Sequence, residues 1–419
     1  MKNITAALLS VGDEILIGQI TDTNAVFLAE QLTLKGVEVN EMQTVGDSRR
    51  QIFDALDCSL QKNDIVLLTG GLGPTDDDLT KAVLAEYFNT NLILDEDVLA
   101  DVEGFIRSRG FQVNERNRKQ ALVPEACKVI RNANGTAPGM WFEHKGSVVV
   151  SMPAVPFEMK EMFIEKVLPL LAQHFDFPSI VHRTVLTHGI AESHMAQMLE
   201  DFEAALHKDV KLAYLPSPER LRLRFSIGGK SKEQAEEILE AEIHKLKKII
   251  GKAIYGEGNY FLEQTVFELL KERKATLATA ESCTGGSIAA KITSVPGSSQ
   301  VFLGGTVAYS NPVKTEHLKV PESLIEKHGA VSREVVEALA KGALNVFGSD
   351  YSIAVSGIAG PDGGTDEKPV GTVWIAVAGN NKLFSKKYTF GKRRNINIQR
   401  ASAKALDMLR KFILDFYKN

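Results

Sequence analysis

The sequence predicts an α/β protein: two α/β domains, the first on a parallel sheet, joined by a small α+β connector. Three observations carry this reading. Short apolar runs alternate with helix-length amphipathic stretches in two separate blocks. A differently patterned stretch lies between the blocks, and a turn-rich segment, GEGNYFLE (256–263), precedes the second.

In the first block, AALLSVG (6–12) reads as a strand and NAVFLAEQLTLKG (24–36) as a helix. A strand over 37–45, a helix over about 49–60 and the wholly apolar strand DIVLLTGG (64–71) follow. Such alternation predicts a parallel sheet covered on both faces, with ligands beyond the carboxyl ends of its strands. In the connector, RLRLRFSIG (220–228) alternates as a half-exposed strand does. SKEQAEEILEAEIHKLKKII (231–250) puts Ala235, Leu239, Ile243, Leu246 and Ile250 on one side of a helix. The second block reads as helix 261–273, strand 276–282, helix 284–293, strand 305–310 and helix 332–347. Strands 351–357 and 371–379 and a terminal helix after Phe390 complete it. The domains so drawn are 1–172, 173–255 and 256–419.

With 49 Lys and Arg against 53 Asp and Glu, the net charge is −4, which gives no global field for nucleic acid or an anionic membrane. The connector is mildly basic but lacks the interleaved aromatics of a nucleic-acid groove. No apolar run approaches the roughly 20 residues of a membrane span. The N-terminus reads as a strand and not a signal peptide. The cysteines, Cys58, Cys127 and Cys283, form no CxxC or Cys/His cluster. The expectation is a cytoplasmic chain with no membrane and no nucleic-acid partner. His182, His188 and His194 recur at a spacing that suits no metal site and read as structural.

Chemistry concentrates in a few loops. ESCTGG (281–286) joins a strand to a helix, and its amides at Cys283, Thr284, Gly285 and Gly286 can face an anion or a developing oxyanion. Ser282 or Cys283 could be a nucleophile there, and a plain helix cap is the competing reading. AYSNPVK (308–314) puts Tyr309 and Lys314 around an Asn-Pro turn, where a desolvated lysine can act as a base. SGIAGPDGGTDEKPVGTV (356–373) brings Ser356, Gly357 and Gly360 into a loop suited to a phosphate or ribose, or to a simple hairpin. GKRRNINIQR (391–400) sets Arg393, Arg394 and Arg400 around a helix start, where arginine can fork onto phosphate. In the first block, GGLGPTDDDLT offers Gly70, Gly71, Gly73 and Thr75 as a phosphate turn. Asp76, Asp77 and Asp78 supply hard oxygens, with Asp13, Glu14 and Asn24 at neighbouring strand ends. A metal shell of Asp13, Asp76 and Asp78 is the expectation, and helix capping is its rival.

Taken together, VGDEILIGQITDTN, GGLGPTDDDLT, NGTAPGMW, ESCTGG, AYSNPVK, SGIAGPDGGT and KPVGTVW resemble the CinA family, the competence/damage-inducible proteins, over nearly the whole chain. The resemblance implies a MoaB/MogA-like, molybdopterin-binding-type first domain with ADP-ribose pyrophosphatase activity dependent on a divalent cation (Mg²⁺, Mn²⁺ or Co²⁺). It implies a KH-type connector and a CinA-type C-terminal domain that deamidates nicotinamide mononucleotide (NMN) without a metal, in a homodimer. Ser282 matches the nucleophile, and Tyr309 and Lys314 match its activating partners. The chain departs from the family in carrying Ser356 where Thr is usual, GKRR where Gly-Asp-Arg is usual, and GGLG for GGTG. Two other readings stand: an accessory protein for DNA uptake or recombination, or a chain in which only the pyrophosphatase works.

Overall fold

A computed structural model describes residues 4–75 and 78–415. It divides into two compact units, residues 1–180 with 228–232, and residues 181–227 with 233–419.

The first unit is built on a six-stranded sheet of order β2-β1-β3-β8-β7-β6. The strands are β1 (Thr5–Val11), β2 (Glu38–Val45), β3 (Ile65–Thr69), β6 (Lys128–Ile130), β7 (Gly139–His144) and β8 (Ser147–Met152). Two short strands, β4 (Leu92–Leu94) and β5 (Leu122–Pro124), pair separately. β2, β1, β3 and β8 run parallel, as the alternation predicts. The far edge differs: β7 joins β8 antiparallel, because the two-residue turn at Lys145–Gly146 has room only for a hairpin, and β6 pairs antiparallel with β7. Ala6, Leu8, Ile65 and Leu67 enter one core, while Ala7, Leu9, Val66 and Leu68 enter another on the opposite face. Burial on both faces is why these strands read as unbroken apolar runs.

The second unit begins with a sheet of order β10-β11-β9-β12, made by β9 (Ile180–Thr187), β10 (Val210–Pro216), β11 (Leu221–Gly228) and β12 (Ile254–Glu257). The helix Lys232–Ile250 covers one face, packing Leu239, Ile243 and Leu246 on Leu223, Phe225 and Ile227. Next comes a five-stranded sheet of order β14-β13-β15-β16-β17. Its strands are β13 (Leu277–Glu281), β14 (Phe302–Val307), β15 (Tyr351–Gly357), β16 (Thr372–Gly379) and β17 (Lys382–Thr389). β14, β13 and β15 are parallel, and β16 and β17 add antiparallel.

The two faces of this sheet differ in bulk. Leu277, Ile353, Val355, Ile375 and Val377 meet Leu406 and Leu409 of the last helix, Arg394–Ile413. Ala278, Ala280, Ala354, Ala376 and Ala378 face the helix Arg333–Phe347. Small side chains let that helix approach closely, and a Cβ at its Gly342 would collide with the Leu318 carbonyl.

The turn at 256–263 is not a bare linker. β12 pairs with β9, and the Gly258 amide donates to the Thr184 carbonyl at 2.8 Å. Arg410, 2% exposed, reaches back from the last helix to the carbonyls of Lys252 and Ile254, both at 2.9 Å.

Candidate active site

The strand β13 ends at Glu281, and the chain turns through Ser282–Gly286 into the helix Ser287–Thr293. Positive φ at Gly285 (61°) and Gly286 (95°) makes this turn a place for glycine. Glu281 is buried, and its carboxylate accepts from the amides of Gly286 (3.1 Å), Ile288 (3.0 Å) and Ala289 (2.8 Å). A carboxylate thus caps the helix from the residue before the turn, satisfying donors that would otherwise be orphaned. The Gly285 amide donates to the Ser282 carbonyl at 3.1 Å. Gly285 and Gly286 are therefore not oxyanion donors as the sequence suggests. The Thr284 amide has no backbone acceptor among the described residues, and the Cys283 amide faces its own sulfur.

Ser282 is half-buried and its amide donates to the Val355 carbonyl at 2.9 Å, which pins it at the sheet edge. Cys283 beside it is buried. Burial pushes its thiol up to about 12, with Glu281 adding to the rise and the cations Arg394 and Lys314 opposing it. A thiol so placed stays protonated at neutral pH and is a poor nucleophile.

Lys314 sits in a single wide helical turn, Val313–His317, after β14, not at the end of a strand. It is 2% exposed, and its ammonium donates to the carbonyls of Tyr309 (3.2 Å) and Ser310 (3.4 Å). No carboxylate pairs with it among the described residues, and burial lowers its pKa. The side chain of Tyr309 goes elsewhere: it is 60% exposed, and its phenol oxygen accepts from Arg394 at 2.9 Å. Tyr309 therefore serves Lys314 through its main-chain carbonyl and presents its ring beside Arg394.

Arg394 also donates to the Gly360 carbonyl at 2.9 Å, tying the last helix to the glycine loop. Arg393 holds the N-cap position of that helix and is exposed, and its side chain makes no such contact among the described residues. Asn397 fastens the same region, donating to the carbonyls of Ala359 (2.9 Å) and Gly391 (2.7 Å). The loop residues expected to touch substrate are structural. Ser356 is buried and donates to the Ala330 carbonyl at 2.7 Å. A Cβ at Gly357 would lie 2.7 Å from Val373, and one at Gly360 would lie 2.6 Å from Val370. Sequence reading missed Glu281 and Asn397. The acid directly before SCTGG was the available signal for Glu281.

In the first unit, Gly71, Gly73 and Asp78 line a cavity of about 390 Å³ with Arg109, Asn134 and Glu158. Burial raises the Glu158 pKa although Asn132 donates to it at 2.7 Å. The glycines of GGLG are packed: a Cβ at Gly70 would strike the Val11 carbonyl and one at Gly71 the Thr80 hydroxyl.

The acids expected to hold a cation are engaged locally. Asp78 accepts from the Thr75 amide at 2.9 Å and from its hydroxyl. Asp13 exchanges bonds with Asp47, donating its amide at 3.0 Å and accepting at 3.3 Å. Asp76 and Asp77 lie outside the described residues. No group of three His, Cys, Asp or Glu side chains is arranged for a metal among the described residues, which leave out Asp76 and Asp77. Nor is any described helix long and apolar enough to cross a membrane.

Three family models cover the chain. Residues 7–173 match "Probable molybdopterin binding domain", 182–256 match "Damage-inducible protein CinA KH domain" and 259–413 match "CinA C-terminal domain". The chain is 44% identical to a CinA-like protein of Flavobacterium psychrophilum, over 98% of this chain and 99% of that one. It is 42% identical to a CinA-like protein of Cytophaga hutchinsonii, over 98% of each. Among solved structures, a competence/damage inducible protein from Agrobacterium tumefaciens is 35% identical, covering 36% of this chain and 98% of its own, with a TM-score of 0.35.

Proposed function

The chain belongs to the CinA family, and from that premise we propose that its C-terminal domain hydrolyses the carboxamide of NMN, giving nicotinate mononucleotide and ammonia. One observation carries the reading: a buried lysine with no acid partner among the described residues, its pKa lowered by burial, interacts electrostatically with Cys283, the immediate neighbour of Ser282. An uncharged Lys314 nitrogen takes the Ser282 proton as the serine oxygen bonds to the carboxamide carbon. The amides of Cys283 and Thr284 hold the oxyanion that forms. Lys314 returns the proton to the departing nitrogen, the C–N bond breaks, and ammonia leaves an ester on Ser282. Water, deprotonated by Lys314, then cleaves that ester and restores the serine. Arg394 binds the phosphate with the guanidinium edge left open by Gly360 and Tyr309.

A second activity, ADP-ribose cleavage in the first unit, is favoured by the cavity beside the GGLG turn, where Arg109 provides a cation for a phosphate. The test is to incubate the full chain with NMN and with ADP-ribose, with and without chelator, and identify products. The expected result is nicotinate mononucleotide and ammonia irrespective of chelator. NMN recovered intact overturns the deamidase reading, and ADP-ribose recovered intact overturns the second.

A further inference from the structure

Arg400 belongs to the motif that the sequence placed around the substrate phosphate, yet it does not join Arg394. It lies six residues further along the last helix and lines a different cleft, of about 380 Å³, between the connector and the C-terminal sheet. Lys404, one turn on, lines the same cleft, and neither side chain makes a hydrogen bond or ion pair among the described residues. Lys404 is half-buried, with its ammonium 5.5 Å from the Tyr388 ring centre. Gly189 forms the wall opposite it with φ at 92°, and a Cβ there would stand 3.1 Å from the Lys404 nitrogen. Glycine at this position keeps the ammonium open to the cleft.

The remaining charges leave the cleft cationic. Arg220 on the facing turn is held rigid by the Tyr260 carbonyl, by Asn259 and by the Phe261 ring at 3.9 Å. Glu219 beside it is neutralised by Lys291 at 2.9 Å. Asp407, beneath His188 at the floor, is already paired with Arg410 at 2.9 Å and Lys411 at 2.8 Å. Glu192 at the rim is outweighed by Arg220, Arg400 and Lys404. Phe390 adds an apolar surface on which a flat ring can lie.

We propose that this cleft is a second ligand site, for a phosphate-bearing small molecule of about mononucleotide size, separate from the Ser282 site. A half-buried lysine beside an exposed arginine, neither in an ion pair among the described residues, offers a phosphate dianion two charge-assisted contacts. The size of the cleft matches that of small-ligand pockets. Because Arg394 and Arg400 share one helix, an occupant here would also steady the helix end that carries Arg394.

The inference stands apart from the deamidase reading, since its test reads binding. The full chain carrying Ser282→Ala is titrated calorimetrically with inorganic phosphate and with adenosine 5′-monophosphate. Arg400→Gln and Arg400→Gln/Lys404→Gln are then compared in that background. The expected result is saturable binding that weakens about tenfold or more in the double variant and severalfold in Arg400→Gln. Phosphate binding alone identifies a phosphate reader, and tighter nucleotide binding that falls with Phe390→Ala identifies a nucleotide reader; either supports the site. Should the double variant melt early, Arg400→Gln decides, because its side chain is exposed. Affinities unchanged in Arg400→Gln overturn the proposal. So does binding of single-stranded DNA with neither small ligand bound, or loss of NMN turnover when Arg400→Gln is made in the otherwise native chain.

Discussion

At the scale of single residues, the candidate chemistry depends on the burial of one cation. Lys314 has a pKa below its ordinary value because burial disfavours its charged form. Two consequences have definite signs. Activity needs the uncharged amine, so kcat/KM rises with pH through the lowered pKa and levels above it. Between that value and the ordinary lysine value, the unfolded chain holds a proton that the folded chain has released, so stability also rises with pH there. Lys314→Met should remove both slopes, cut NMN turnover by at least about a hundredfold, and leave the thermal midpoint no lower than in the parent. A pH series of rates and melting curves on the two proteins checks this, and an early-melting Lys314→Met would show that the ammonium stabilises the fold. The motif SCTGG was legible as a turn with amides at a helix start. Which amides remain open was not, because that depends on Glu281 curling forward past two left-handed glycines.

At the scale of elements, the last helix links three places: Arg394 at the glycine loop, Arg400 and Lys404 in the cleft, and Asp407 with Arg410 against the connector. Which of Arg393 and Arg394 enters the site was not readable, since it turns on the residue at which the helix starts. The structure starts it at Arg394, leaving Arg393 as the cap. Arg394→Gln should raise KM for NMN about tenfold or more and leave kcat within about threefold. Turnover of nicotinamide riboside, which lacks the phosphate, should barely change; equal losses on both substrates would move Arg394 from phosphate binding to chemistry. Burial would raise the Asp407 carboxyl, but the bond to His188 and the charges of Lys411 and Arg410 hold it well below the carboxylate range. Its contribution to stability is present above the ordinary aspartate pKa near 4 and is lost as pH falls below it. Asp407→Asn should therefore cost about 3 kcal/mol near neutral pH, with the gap to the parent closing in acid. Denaturant titrations at two pH values check it. The parallel core of the first sheet was legible from apolar runs buried on both faces, whereas the strands of its antiparallel edge include one of three residues, too short to show a period.

At the scale of the whole molecule, the boundary at GEGN looks like a linker by composition, yet part-buried hydrogen bonds cross it. A fragment of residues 257–419 would strip Arg410 of the Lys252 and Ile254 carbonyls and Asp407 of His188. Residues 181–419 should fold cooperatively and turn over NMN, whereas 257–419 should melt lower or aggregate. Equal midpoints for the two fragments would show those bonds to be dispensable. The Gly and Asn turn falls where the family models change over, at 256 and 259, while the pairing of β12 with β9 ties its first residues to the connector sheet. The proposed deamidation rests on Ser282 as the nucleophile, and one assay reaches it directly. Ammonia release from NMN is measured for the full chain, for Ser282→Ala and for Cys283→Ala, at equal folded protein. A serine nucleophile requires a loss of about a thousandfold or more in Ser282→Ala and near-parental rates in Cys283→Ala. Undiminished release from Ser282→Ala, or an equal loss in Cys283→Ala, would contradict it.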